Sequence, residues 1–92
     1  MKAEIFEYSL WLDSEEPSVI VTTFSAILKR AGFTILNFVE NHFEPQGYTA
    51  LWLLSESHLA VHTFPEESRY YIQLSSCSRE MYDLFISYAE AI

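Results

Sequence analysis

Apolar and polar positions alternate along the chain in a way that predicts seven elements. Glu4–Leu12 is dense in aromatic and aliphatic residues and predicts a first strand. Asp13-Ser14-Glu15-Glu16-Pro17 predicts a helix start, with carboxylates where the helix dipole favours them and Pro17 in the first turn. Ile20, Phe24, Ile27 and Leu28 follow at helical spacing, Lys29 and Arg30 close the last turn, and Gly32 is the expected C-cap. Phe33–Glu40 alternates weakly and is rich in β-formers, which predicts a second strand. A turn at Glu44-Pro45-Gln46-Gly47 leads into strands at Tyr48–Leu54 and His58–Thr63, joined by Ser55-Glu56-Ser57. Phe64–Ser68 turns the chain again and Arg69–Ser75 is a further strand. Met81, Leu84, Phe85, Tyr88 and Ile92 mark a second helix that starts near Ser76 or Ser78. The order β-α-β-β-β-β-α, with adjacent strands and only two helices, predicts an α+β two-layer sandwich. Its antiparallel β-sheet is covered on one face by both helices.

Composition narrows the range of functions. Ninety-two residues allow one domain, 1–92, and a chain half apolar and 16% aromatic is not disordered. Thirteen acidic against five basic residues give a net charge of −8. Nucleic acid and anionic membrane surfaces are therefore not expected partners, whereas a cationic small molecule suits the field. The single cysteine, Cys77, excludes an internal disulfide, and an acidic N-terminal region with no long apolar run points to a cytoplasmic chain. A core this small makes a homodimer a reasonable assembly.

Polar residues crowd into Leu54-Ser55-Glu56-Ser57-His58-Leu59-Ala60-Val61-His62-Thr63-Phe64-Pro65-Glu66, within what should be core strands. Buried polar groups need mutual hydrogen bonds or a function, unless the histidines simply point to water from a half-exposed sheet. Metal is not expected: on a strand, His58 and His62 share a face but stand about 13 Å apart, and one cysteine makes no zinc ribbon. A serine hydrolase elbow is absent, since no glycine flanks Ser57.

The segment Ser55–Glu66, with the Pro45-x-Gly47 turn before it and Cys77 after it, resembles the processing site of the short prokaryotic S-adenosylmethionine decarboxylases, which are pyruvoyl-dependent. The resemblance implies an S-adenosylmethionine decarboxylase-like fold and autocatalytic serinolysis between Glu56 and Ser57. Ser57 would become a pyruvoyl group, with His62 and Thr49 assisting. It implies a keto carbonyl that accepts the substrate amine as a Schiff base and takes up electrons when CO2 leaves, with no metal. Cys77 then matches the proton donor, a thiol being a workable acid near neutral pH. Phe43 and Phe64 match aromatics that sandwich adenine, and Glu66 a carboxylate that binds ribose hydroxyls. A soluble homodimer serving polyamine (spermidine) synthesis is the implied setting. The chain departs from the family pattern at Ala3–Tyr8, at Gln73, at Ser78 and after the second helix. Ornithine or arginine as substrate, and an unprocessed, non-catalytic homologue, stay open as alternatives.

Overall fold

The computed structural model describes residues 3–92; Met1 and Lys2, the first two positions of the expected domain, lie outside the described residues. The chain runs β1 (Phe6–Asp13), α1 (Pro17–Ala31), β2 (Ile35–His42), β3 (Tyr48–Leu54), β4 (Ser57–Phe64), a 3-10 turn at Pro65–Glu67, β5 (Arg69–Ser76) and α2 (Arg79–Ala89). Both the order and the α+β class match the sequence expectation.

Local chemistry sets the boundaries. Pro17 takes the first helical position of α1, where its fixed φ fits and its missing N–H costs nothing. The carboxylates of Asp13, Glu15 and Glu16 consequently stand before the first turn rather than in it. Gly32 ends α1 with φ 103° and sends its N–H back to the carbonyls of Leu28 and Lys29, a conformation a side chain would resist. Ser78 caps α2 by accepting from the N–H of Met81. The expected helical position of Ile92 is not realised: α2 ends at Ala89, the last residue of its buried stripe, and Ile92 is exposed beyond it.

Strands β2, β3, β4 and β5 form an antiparallel meander, and β1 pairs with β5 at the far edge, giving the order β1-β5-β4-β3-β2. Because β1 and β2 occupy opposite edges, α1 has to cross the whole sheet between them, and α2 packs beside it. Their shared core joins Phe24, Leu28 and Phe85 to Trp52, Leu59, Val61, Ile72 and Leu74, all essentially inaccessible. Burying each such side chain contributes roughly 1.5–3 kcal/mol. The register shift between Ile35 and Asn37 explains why β2 alternates weakly in sequence. The bulge turns Phe38 inward, its ring 4.9 Å from that of Trp52.

Alternation sends the other side chains to a face with no helix over it. Cross-strand register lays them out in rows: Trp11–Tyr71–His62–Thr49, Ser9–Gln73–Ala60–Leu51–Val39 and Glu7–Ser75–His58–Leu53–Asn37. Trp11, Val39, Leu51 and Leu53 are exposed there.

Candidate functional site

The residues singled out from sequence fall into two clusters at opposite ends of the sheet. The first is built by the β3–β4 hairpin and the start of α2. Only Ser55 and Glu56 connect the two strands, so the chain reverses within two residues, and Glu56 takes φ 59°, the left-handed region that costs a non-glycine residue about 1–2 kcal/mol. The strained residue is therefore the one whose carbonyl begins the Glu56–Ser57 peptide bond. Ser57 faces the helix side of the sheet and is buried; its Oγ is the one buried side-chain polar atom without a hydrogen-bond partner among the described residues. Cys77 follows β5, exposed, with its Sγ–H directed at Glu56 Oε2 across 3.7 Å. A cleft of about 610 Å³ opens beside them, lined by Ala3–Phe6, Glu56, Cys77 and Arg79.

The second cluster is built where β3 and β4 diverge at the other end. Thr49 and His62 are register partners on the helix-free face, and Thr49 Oγ1 lies 3.1 Å from His62 Nδ1. One position further, the N–H of Tyr48 donates to Thr63 Oγ1 at 2.9 Å, a side chain replacing the ladder carbonyl just where the strands part. Tyr48 itself is buried and donates to Glu40 Oε1 at 2.6 Å; burial, reinforced by that carboxylate, raises its pKa well above the ordinary tyrosine value. Gly47, at φ 111°, closes the preceding turn, and the Phe43 N–H donates to its carbonyl at 2.8 Å. Phe43 is left half exposed. Together Phe43, Gln46, Thr49, His62, Phe64 and Glu66 line a cleft of about 280 Å³. Gln46 Nε2 donates to Glu66 Oε2 at 3.3 Å, and the Phe64 ring packs 5.5 Å from that of Trp11.

Phe43 and Phe64 are thus cleft residues rather than core. Ser57 and His62, in contrast, are not neighbours within one chain. Five strand residues at about 3.3 Å each separate them by roughly 16 Å, and an odd separation puts them on opposite faces. His58 and His62 do share the helix-free face, as expected of strand residues four apart. Among the described residues no group of three or more histidine, cysteine, aspartate or glutamate side chains is arranged to hold a metal ion. No helix among them is long and apolar enough to cross a membrane.

Sequence reasoning missed Gln46, Trp11, Ser76 and the Glu40–Tyr48 pair. Gln46 was legible only as a turn residue, and Trp11 only as a strand aromatic. The place of Gln46 in the cleft and the packing of Trp11 on Phe64 come from register, which a single sequence does not encode directly.

A two-layer sandwich whose tightest hairpin carries a strained glutamate followed by a buried, unpartnered serine is the class of protein that fold and site define together. The family model described as S-adenosylmethionine decarboxylase matches residues 12–91, and the chain belongs to that family. The resemblance read from residues 43–77 is borne out. The chain is 48% identical over 56 residues to a protein of Prochlorococcus marinus (strain MIT 9313) named S-adenosylmethionine decarboxylase proenzyme, covering 61% of this chain and 45% of that one. It is 41% identical over 63 residues to a protein of the same name from Synechococcus sp. (strain WH7803), covering 68% and 49%. The matched region therefore spans about half the length of these relatives. The crystal structure of the adenosylmethionine decarboxylase from Aquifex aeolicus VF5 superposes with a TM-score of 0.72 at 21% identity, over 91% of this chain and 72% of that one, and so shares the fold.

Proposed function

We propose that the protein is a self-processing, pyruvoyl-dependent decarboxylase acting on S-adenosylmethionine. The observation that carries the reading is the pairing of left-handed strain at Glu56 with the buried, unpartnered Oγ of Ser57. A hydroxyl with no bond to break, next to a peptide unit that gains by rearranging, is primed for attack on its own preceding carbonyl. In that reaction Ser57 Oγ adds to the Glu56 carbonyl carbon and the amide C–N bond breaks, moving the acyl group from nitrogen to oxygen. Loss of the Ser57 α-proton then expels the Glu56 carboxylate and cuts the chain. The resulting dehydroalanine tautomerises to an imine, takes up water and releases ammonia, which leaves a pyruvoyl group, amide-linked to His58, at the head of the 57–92 fragment.

The residues present fit such a group, since position 57 is buried and follows Glu56, which lines the cleft that holds Cys77. When formed, the keto carbonyl supplies the electron sink that decarboxylation needs and that no side chain offers. Cys77, exposed and held beside Glu56, is suited to give a proton to the reacting carbon. Phe43 and Phe64 offer π faces for a purine, and Glu66 offers a carboxylate for ribose hydroxyls and a cationic ligand. The net charge of −8 favours the same ligand class.

His62 and Thr49 enter this reading through a homodimer. They stand too far from Ser57 to serve it in their own chain, whereas a second copy whose strands run the opposite way would bring its own Thr49–His62 end to the hairpin end of the first. Exposed Val39, Leu51 and Leu53 on the helix-free face supply apolar surface for that contact.

Intact mass of the purified protein during incubation tests the proposal. Two fragments are expected, with the second beginning at residue 57 and blocked to Edman degradation, and Ser57→Ala remaining whole. A wild-type chain that stays full length after prolonged incubation would remove the enzymatic reading and favour a non-catalytic homologue. Assays with S-adenosylmethionine, ornithine and arginine then separate the substrate classes.

A further inference from the structure

The chain buries just two polar residues among those described, Ser57 and Ser76, at adjoining ends of β4 and β5. The pairing of β4 with β5 runs from Phe64↔Arg69 to His58↔Ser75, and Ser57 and Ser76 are the next residues on the two strands. Their side chains point to the same, helix-covered face, since Ser57 alternates with Leu59 and Val61 as Ser76 does with Leu74 and Ile72. Unlike Ser57, Ser76 is satisfied: its Oγ accepts from the N–H of Ser78 at 3.1 Å and lies 3.3 Å from the Ser78 carbonyl, to which it donates. Both bonds reach over a single residue, and that residue is Cys77. Ser78 continues the tie, because its own Oγ caps α2.

We infer that Ser76 is a positioning residue: its buried hydroxyl staples the junction of β5 and α2 and so fixes Cys77 against Glu56 at the strained hairpin. Without the staple, the two-residue connection Cys77-Ser78, from a fully buried strand end to α2, loses the side-chain bonds that hold its backbone. The thiol then no longer stays within reach of the Glu56 carboxylate 3.7 Å away. The inference rests on the proposed role of Cys77 for its consequence in catalysis, but its geometric content does not.

The test uses Ser76→Val and Ser76→Thr, which have nearly the same volume and differ in the hydroxyl, in the full-length chain. Cys77 is the sole cysteine, so iodoacetamide labelling followed by mass reads its environment without ambiguity. In a Ser57→Ala background, which cannot cleave, Ser76→Val is expected to label about fivefold faster than its parent while Ser76→Thr labels at the parental rate. In the Ser57 chain, Ser76→Val is expected to lower kcat at unchanged KM, with Ser76→Thr restoring it. Equal labelling of the Val and Thr variants would overturn the inference, as would a Val variant that labels at the parental rate. If the chain with Ser57 intact never cleaves or turns over, the proposed function fails while the labelling comparison still decides the staple. A Ser76→Val chain that fails to fold leaves Ser76→Ala and Ser76→Thr to make the same comparison.

Discussion

Ser57→Ala should raise the stability of the full-length chain, an uncommon direction for a substitution in a core. The hydroxyl is removed from water by burial, yet it has no partner. Protein data put the cost of such an uncompensated hydroxyl at about 1–3 kcal/mol. Alanine keeps the Cβ and its packing and forfeits no hydrogen bond, while the space left by one oxygen returns a few tenths of a kcal/mol of loss. A net gain of about 1–2 kcal/mol follows. For 92 residues the unfolding entropy near the midpoint is about 0.19 kcal/mol/K, so Tm should rise by roughly 5–10 °C. Thermal circular dichroism on full-length material, checked by intact mass before and after the scan, measures it. Ser76→Ala is the internal control and carries the opposite sign. That hydroxyl is fully buried and bonded at both ends of Ser78, so its loss should lower Tm by about 5 °C. Should Ser57→Ala melt at or below the wild-type temperature, the hydroxyl is satisfied in solution and the argument for a primed nucleophile falls.

Other expectations concern assembly, chemistry and pH. His62→Ala should slow self-cleavage by about a hundredfold with little change in Tm, since His62 is on the helix-free face and bonds only Thr49. Mixing it with Ser57→Ala chains should restore cleavage of the His62→Ala partner if the site spans two copies; lack of rescue on co-refolding would place the histidine's action elsewhere. Leu51→Asp with Leu53→Asp should convert a dimer to a monomer in analytical ultracentrifugation, and an unchanged sedimentation coefficient would clear that face of a role in assembly. Burial, aided by the Glu90 carboxylate, pushes Tyr8 up to about 12 from the ordinary 10.0, and burial with Glu40 raises Tyr48 in the same direction. The folded chain then keeps phenolic protons that the unfolded chain releases near pH 10, so stability is full below that pH and falls between about 10 and 12. Urea midpoints against pH should show that fall, with a shallower slope for Tyr48→Phe.

The sequence made the architecture readable because the relevant signals are local. Pro17 and Gly32 bracket α1, Ser78 starts α2, and alternation in Tyr48–Leu54 separates buried Tyr48, Ala50, Trp52 and Leu54 from their outward neighbours. Where the pattern misled, a tertiary cause prevailed. The weak alternation of β2 hides a bulge, and the apolar spacing that runs on to Ile92 outlasts the surface available to bury it. The likeness to the S-adenosylmethionine decarboxylases was legible because it rests on contiguous residues, Ser55–Glu66, with one cysteine at a fixed remove.

How the candidate residues divide in space was not legible, and the reason is geometric. Ser57, His62 and Glu66 are close in sequence, which invites a single pocket, but a strand converts sequence proximity into distance and parity. An even separation shares a face and an odd one does not, so His58 and His62 look the same way while Ser57 and His62 cannot. The hairpin acts in the reverse sense: Thr49, thirteen residues before His62, is its register partner, and Cys77, twenty-one after Glu56, touches its carboxylate. The motif's compactness in sequence therefore does not come from building one pocket within one chain. If Ser57 and His62 act together as proposed, the two ends of β4 can meet only through a second copy running the opposite way. On the proposed homodimeric reading, loss of dimerisation should abolish His62-dependent cleavage while leaving the fold of each protomer, whose core lies between its own sheet and helices, intact.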